Sequence, residues 1–426
     1  MSKFQLILLI VFGAFIVVAV ILFSMSRGGG VALPNIVIWG DIPASSFNGL
    51  LDTSGLRNSP AAIIQYVEKP NATFDADFTE ALALGSGPDL VILSQENFWK
   101  ERNKLALIPS SSISQKDFTS TFIEEGELFY NQDGTYALPL IVDPLVLYWN
   151  RDLFSKASIA LPPKFWDEIY GYAQKLTEKD NAGNITKSAI ALGEAKNVPN
   201  NKDILSLLML QAGTPITSMT NGNLQTEFNN SFGLPINPAQ AALDFYTQFS
   251  NPAKPFYTWN RSLKSAGTAF TSGDSAMYIG YASELKNLMA KNPTLNLGIA
   301  LLPQSRISNK AITFSRLSAV AIVRNSKNSS AALNVALSLV SKDVMTSLSK
   351  ILSLPPTRRD LLSTKPTDLA QSVFYDAAIQ SKGWLDPDDS KTTQIFTDMI
   401  DSVTSGRART SEALSTAGDQ INALIK

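Results

Sequence analysis

Residues 85–93 read GSGPDLVIL, a glycine-proline turn followed by a short apolar run. Ten residues with helical spacing precede it, DADFTEALAL over 75–84, and a second apolar run, NIVIW, lies upstream over 35–39. A strand, a helix and a strand in this order indicate a βαβ unit with parallel strands. Because ligands of such sheets bind beyond the carboxyl ends of the strands, we expect a site where these two strands end.

The composition limits both the number of domains and the chemistry. A chain of 426 residues with 45% hydrophobic content exceeds what one compact domain usually buries, so two lobes are expected. The chain has no cysteine and no histidine, which excludes disulfides, thiolate nucleophiles and every Ser-His triad. A net charge of −1 without a basic block predicts no nucleic-acid partner. We expect no cofactor and no metal, because the acidic run at 386–389 lacks the glycine and terminal glutamate of a calcium loop.

Further runs continue the α/β pattern to the end of the chain. The longest is YALPLIVDPLVLYWN over 136–150, an extended stretch interrupted by two prolines. Pro162 and Pro163 open a helix over 165–176, and GDSAMYIGY over 273–281 reads as a strand. Two helical stretches separated near Gly406 close the chain. These alternating elements predict two interleaved α/β lobes.

The N-terminus predicts a membrane segment. Residues 4–23, FQLILLIVFGAFIVVAVILF, carry no charge, and twenty helical residues span about 30 Å, the thickness of the hydrocarbon core. We predict an uncleaved transmembrane anchor, with a signal peptide as the alternative because Lys3 supplies a basic start. Residues 24–34 then form a flexible linker. The expected location is the cell membrane, single-pass, with the N-terminus inside and the rest on the extracytoplasmic side.

The complete set of segments resembles the extracellular solute-binding proteins of ABC importers, in the cluster that contains maltose-binding protein. The resemblance covers nearly all of 35–426, and its motifs are NIVIWG at 35–40, GSGPDLVIL at 85–93, YALPLIVDPLVLYWNRDLF at 136–154, LPPKFWDEIYGYAQKLT at 161–177, FTSGDSAMYIGYASEL at 270–285, LSAVAIVRNSKNSSAALNVALSLVS at 317–341, LPPTRRDLL at 354–362 and SGRARTSEAL at 405–414. Relatives usually use a cleaved signal or a lipidated cysteine, so here the N-terminal helix would be the anchor.

The resemblance implies a type II periplasmic-binding-protein-like fold in which the chain crosses three times between two lobes. The first lobe would comprise 35–142 and 317–348, and the second 143–316 and 349–426. It also implies a monomeric binder, not an enzyme, that takes a solute, expected to be a sugar or oligosaccharide, and hands it to ABC permease subunits.

Residues at the ends of the two strands are candidates for solute contact. Trp39 offers a face for stacking on a sugar, next to Gly40, and Asp41 offers a carboxylate for its hydroxyls. Gln95 and Glu96 follow the second strand. The alternatives are core packing for Trp39, and capping of a helix that starts at residue 97 for Gln95 and Glu96.

The resemblance adds candidates further along the chain. Asp143 corresponds to an acidic sugar contact, and its alternative is pairing with Arg151 or a backbone amide. Relatives present cleft aromatics in two further regions, where we expect solute contacts from Tyr281, Ser283, Glu284 and Trp384. For Trp384 the alternative is packing within a lobe. Arg316 is a candidate of a different kind: it would either bind an anionic group of the solute or pair with a local acid.

Two other functions remain open from the sequence. A membrane-tethered glycoside hydrolase would need paired carboxylates, for which Asp41 and Glu96 are the candidates. A ligand-sensing ectodomain would need a separate signalling partner, since only a few residues precede the apolar segment.

Overall fold

The computed structural model describes residues 33–59, 62–308 and 310–425. Its strands in chain order are β1 (Asn35–Gly40), β2 (Ile63–Glu68), β3 (Leu90–Ser94), β4 (Ile108–Pro109), β5 (Tyr130–Asn131), β6 (Gly134–Thr135), β7 (Ala137–Asn150), β8 (Glu178–Lys179), β9 (Ile185–Ile190), β10 (Thr217–Thr220), β11 (Asn223–Thr226), β12 (Ser275–Tyr281), β13 (Leu297–Ala300), β14 (Thr313–Ile322) and β15 (Ser381–Lys382).

Its helices are α1 (Ala44–Thr53), α2 (Asn71–Ala83), α3 (Gln95–Glu101), α4 (Gln115–Thr121), α5 (Arg151–Lys156), α6 (Ile169–Leu176), α7 (Asn201–Ala212), α8 (Pro238–Thr247), α9 (Ala266–Thr271), α10 (Leu285–Lys291), α11 (Ser329–Leu339), α12 (Lys342–Leu352), α13 (Arg359–Leu362), α14 (Leu369–Ile379), α15 (Asp389–Thr404) and α16 (Thr410–Ile425).

The parallel unit predicted from the N-terminal segments is confirmed. Strands β1 and β3 are parallel neighbours, with Ile38 opposite Leu90. Helix α2 ends as expected at a left-handed glycine: Gly85 has φ 68°, and its amide donates to the Leu82 carbonyl at 3.1 Å. An L side chain at that φ would be strained, which is why glycine follows this helix.

Strand β2 was not predicted from the sequence, and its presence changes how β1 and β3 are connected. Strand β2 pairs in parallel with β1, so helix α2 follows β2 rather than β1. Only one face of β2 is covered: Ile64 and Tyr66 are buried, whereas Ile63 is 55% exposed. Because β2 lies at the end of the sheet and has a single apolar face, its short run carries a weaker sequence signal than β1 or β3.

The long strand β7 crosses between the two lobes. The main sheet runs in the order β2-β1-β3-β14-β7-β12-β9-β8, and β7 extends over 14 residues. The first part of β7 pairs with β14, and from Leu145 onward it pairs with β12. The register of β7 and β14 shifts between Ser318 and Ala319, the latter lying opposite Pro139, which has no amide hydrogen for the ladder. Strand β7 therefore crosses from one lobe to the other at Asp143 and Pro144.

The cores confirm two lobes. Leu138 and Leu140 face one core of the first lobe, and Ala137 and Val142 face a second core on the other side of the sheet. The core of the second lobe begins at Leu145 and includes the buried apolar side chains of α7 and α8. The residue boundaries assigned to the two lobes from the sequence stay a prediction.

Within the described part of the chain, no helix is both long enough and apolar enough to cross a bilayer. The predicted anchor at 4–23 lies outside the described residues, as does most of the predicted linker over 24–34.

Candidate functional site

The candidate site lies where β7 crosses between the lobes. Asp143 on β7 is opposite Arg316 on β14 in the register. Its Oδ1 accepts a hydrogen bond from the backbone amide of Ser283 at 3.0 Å, so Asp143 also touches the segment that follows β12. Desolvation at the crossing raises the pKa of Asp143 to about 6, although the bond from Ser283 opposes this shift.

The guanidinium of Arg316 joins both lobes. Its Nε lies 3.4 Å from Oε2 of Glu96, and its Nη2 lies 3.2 Å from Oδ2 of Asp203. The group also lies over the Tyr281 ring, 4.0 Å from the ring centroid. Glu96 follows strand β3 of the first lobe, whereas Asp203 lies in the first turn of α7 in the second. The pairing with local acids, expected as one of two alternatives for Arg316, is therefore what the structure contains.

Gln95 and Glu125 support the neighbouring part of β14. The side-chain Nε2 of Gln95 donates to the Ser315 carbonyl at 3.0 Å, and the side-chain Oε1 of Gln95 accepts from the backbone amide of Leu317. Glu125, only 2% exposed, accepts from the Ser315 hydroxyl through its Oε2. Burial raises the pKa of Glu125 to about 8, and the charge of Glu96 adds to this effect.

On the first-lobe side of this point, three buried polar atoms have no hydrogen-bond partner among the described residues. They are Oγ of Ser94, Oε1 of Glu96 and Oε1 of Glu125. Ser94 is opposite Ser318 on β14, so all three groups lie along the same short stretch of that strand. Buried polar atoms are costly when they are not hydrogen-bonded, so these three are suited to meet a polar ligand.

A second charged group adjoins the first. The ammonium of Lys202, next to Asp203 on α7, lies 2.5 Å from Asp386 and 2.7 Å from Asp389. It is also 5.4 Å from the centroid of the Trp384 ring. The lysine and Asp386 are both almost completely buried, so this ion pair fixes the 384–389 segment against α7.

The residues predicted at the end of β1 lie at the rim. Trp39 is half-buried, with the Lys69 ammonium 4.3 Å from its ring centroid and Phe78 at its edge. Gly40 is buried, and a Cβ there would lie 2.9 Å from Ile92, so this glycine allows close packing. Asp41 is exposed and accepts from the Asn71 side chain at 3.3 Å. Desolvation raises the pKa of Asp41 despite its exposed edge.

The remaining predicted residues differ in accessibility. Ser283 is exposed at the edge of a groove of about 770 Å³. Tyr281 is buried beneath Arg316, and Glu284 accepts from the Tyr278 hydroxyl at 2.6 Å and from the Tyr281 amide. Trp384 is 3% exposed and stacks on Phe396, as its lobe-packing alternative predicts. Direct contact of these side chains with a solute stays a prediction.

The structure corrects two predictions made from the sequence, the start of helix α3 and the set of site residues. Helix α3 begins at Gln95 with Ser94 as its N-cap, two residues before the predicted start at 97, so Gln95 and Glu96 lie in its first turn. The sequence reading also missed three site residues: Glu125, Lys202 and Asp203. A signal existed for the last two, because α7 is apolar on all sides after residue 203, which indicates a buried helix. Nothing in the run EEGELF at 124–129 distinguishes Glu125 from its neighbours.

The bacterial extracellular solute-binding protein family model matches residues 64–405. The chain belongs to this family. Among curated relatives, a binding protein of Brucella abortus is 31% identical over 99 residues, which covers 23% of this chain. A Brucella suis binding protein matches to the same extent, and the matched part is 24% of the length of each relative.

Solved structures of solute-binding proteins share the fold of this family member over almost its whole length. A cyclo/maltodextrin-binding protein complexed with maltotetraose has a TM-score of 0.75 at 19% identity, covering 93% of this chain and 99% of its own. A cyclic α-maltosyl-1,6-maltose binding protein from Arthrobacter globiformis gives 0.75 at 17%, with 93% and 100% covered. An ABC transporter solute-binding protein from Thermotoga lettingae, bound with α-D-tagatose, gives 0.68 at 18%, with 92% and 100% covered.

Proposed function

We propose that this solute-binding protein captures a small sugar or oligosaccharide between its lobes and delivers it to an ABC-type permease. The observation that carries the proposal is the set of unpartnered polar atoms of Ser94, Glu96 and Glu125 where the lobes meet. A sugar hydroxyl both donates and accepts hydrogen bonds, so it suits a hydroxyl and two carboxyl groups. The maltotetraose and α-D-tagatose bound to two of the similar proteins belong to this class of ligand.

Capture would depend on closure of the lobes. A ligand shifts an open-closed balance only through its differential affinity for the two forms. Asp143 and Arg316 lie on the crossing strands, whereas Glu96 and Asp203 come from opposite lobes. A solute that contacts Glu96 and the Ser283 segment together would do so only when the lobes are closed, and this difference would drive hinge closure.

The proposal includes the location. Residues 4–23 would anchor the protein as a single transmembrane helix, and 24–34 would tether the lobes outside, with the N-terminus inside. The protein would work as a monomer. Among the alternatives, the hydrolase is disfavoured by membership in a binding-protein family and by the ion pair that occupies Glu96.

A thermal-shift screen of the full chain in detergent tests the proposal. We expect a saccharide at 100 times its Kd to add about 2.7 kcal/mol to the free energy of unfolding. Asp143→Asn should reduce that shift, because it removes the carboxylate at the crossing. Asp419→Asn, an exposed acid on α16, should leave the shift unchanged.

Two other outcomes of the thermal-shift screen would contradict the proposal. A shift only with amino acids, peptides or phosphate esters would contradict the saccharide ligand. A panel with no shift at all, together with cleavage of a glycoside, would replace the binding protein by the hydrolase.

A further inference from the structure

Carboxyl groups outnumber cations around the crossing. Glu96 and Asp203 contact the guanidinium of Arg316, Asp143 lies opposite it, and Glu125 is close enough to act electrostatically on Glu96. Four carboxylates against one guanidinium leave a formal excess of three negative charges when all are ionised. Only the tertiary fold reveals this concentration, because the four acids are scattered over 96–203 in the sequence.

The nearest ammonium groups do not compensate for this excess. Lys202 is held by Asp386 and Asp389, and its side chain is only 4% exposed. Lys100, on α3, contacts Asp75 at 2.9 Å and Asp388 at 3.3 Å. Each of these two cations therefore already contacts two carboxylates, although Asp75 and Asp388 also contact Lys104 and Lys391.

Two of the four acids also present an oxygen without a donor. Glu96 is 8% exposed and Glu125 is 2% exposed, yet Oε1 of each has no hydrogen-bond partner among the described residues. Their second oxygens are anchored, on Arg316 and Ser315, so the free oxygens have fixed positions. A buried carboxylate oxygen needs a donor, and a charged donor satisfies it best.

We propose that the captured solute carries a protonated amine, as an amino sugar does, and that Glu96 and Glu125 receive that amine. This inference rests on the proposed function and specifies the chemical class of its ligand. An organic cation fits better than a metal ion, because no cluster of metal-ligating residues occurs in the described ranges. The amine would supply N–H donors to both free oxygens and offset part of the excess charge.

Protonation supports the same assignment. Burial raises the pKa of Glu96 and brings that of Glu125 to about 8, so without a bound cation protons on these carboxyl groups offset part of the formal excess at neutral pH. A bound ammonium favours the ionised carboxylates and should release those protons. Calorimetry in buffers of different ionisation enthalpy measures the release, and a neutral sugar should cause much less.

The test compares matched sugars on the full chain by titration calorimetry. The pairs are glucosamine with glucose, galactosamine with galactose, and the β-1,4-linked glucosamine disaccharide with cellobiose, which has hydroxyls in place of the amines. We expect at least one amine to bind at least tenfold more tightly than its neutral partner. Glu96→Gln and Glu125→Gln should each reduce that preference, whereas Glu80→Gln, an exposed glutamate on α2, should keep it.

The outcomes separate the two proposals. If neutral sugars bind as well as or better than the amines, the amine inference is wrong and the saccharide-binding function stands. If the amine preference survives in the Glu96→Gln/Glu125→Gln double variant, these residues do not hold the amine. If no sugar of any pair or of the wider screen binds, the proposed function fails and takes the inference with it.

Discussion

At the scale of single residues, Arg316 and Glu125 have opposite roles at the crossing. Arg316 remains partly exposed and is stabilised by acids from both lobes. Desolvation opposes the shift, but Tyr281 and these acids raise the pKa of Arg316 further above the ordinary range. Glu125 is enclosed and has one anchoring bond, to the Ser315 hydroxyl. The first is a charge satisfied by its neighbours, and the second is a carboxyl group for which burial favours the neutral form.

The pKa of Glu125 predicts a pH dependence of stability. Its folded-state pKa of about 8 lies above the ordinary value of 4.5, so the neutral group stabilises the fold fully below that value. This contribution is lost as the pH rises through about 8. We expect Glu125→Gln to flatten the decline of the melting temperature between pH 5 and pH 9, measured by differential scanning calorimetry.

The control for this prediction is Glu80→Gln, whose pH profile should run parallel to that of the unmodified protein. A Glu125→Gln profile that is also parallel would show that Glu125 ionises as freely in the folded state as in the unfolded chain.

At the scale of elements, helix α11 shows how burial depends on the helical face. Leu339 is 1% exposed and packs in the core of the first lobe, whereas Leu337, two residues earlier, is 38% exposed. Residues two positions apart lie on different sides of a helix, so the same side chain contributes differently at the two positions.

This difference is measurable with one substitution at each position. Leu339→Ala should lower the free energy of unfolding by about 2–5 kcal/mol, because it leaves a cavity. Leu337→Ala should cost less than about 1 kcal/mol, since much of its side chain already contacts solvent. Urea unfolding monitored by circular dichroism gives both values. Equal losses would mean that α11 does not pack on the face that the structure assigns to the core.

At the scale of the whole molecule, the lobes are joined by strands and by charges. Strand β7 crosses between them, and Lys100 in the first lobe lies 3.3 Å from Asp388 in the segment that packs against the second. Together with Glu96, Arg316 and Asp203, this pair links the lobes on the side where the candidate site lies. Opening of the lobes would separate Lys100 from Asp388.

Removal of the N-terminal segment tests the proposed location. A chain lacking residues 1–32 should leave the membrane fraction and appear in the soluble fraction, because it has lost the apolar run at 4–23. Its affinity for the solute found in the screen should be unchanged, since every candidate site residue lies beyond residue 38. Continued sedimentation with membranes would mean that another surface attaches the protein.

The sequence by itself determined the α/β class, the β1-β3 parallel pair, the extended stretch through Asp143 and the resemblance to the solute-binding family. These features depend on local periodicity, on turns and on the order of segments, all of which can be read along the chain. It also identified Arg316 as a candidate, either to bind an anionic group or to pair with a local acid.

Only the tertiary structure decided which charges meet. Arg316 and Asp203 are 113 residues apart, and Lys202 and Asp386 are 184 apart, so no local pattern links them. Glu125 resembles a surface charge in sequence, and the roles of Lys202, Asp203 and Glu125 follow from burial between packed elements. The cost of burying a charge depends on the groups around it in space, and that information exists only in the fold.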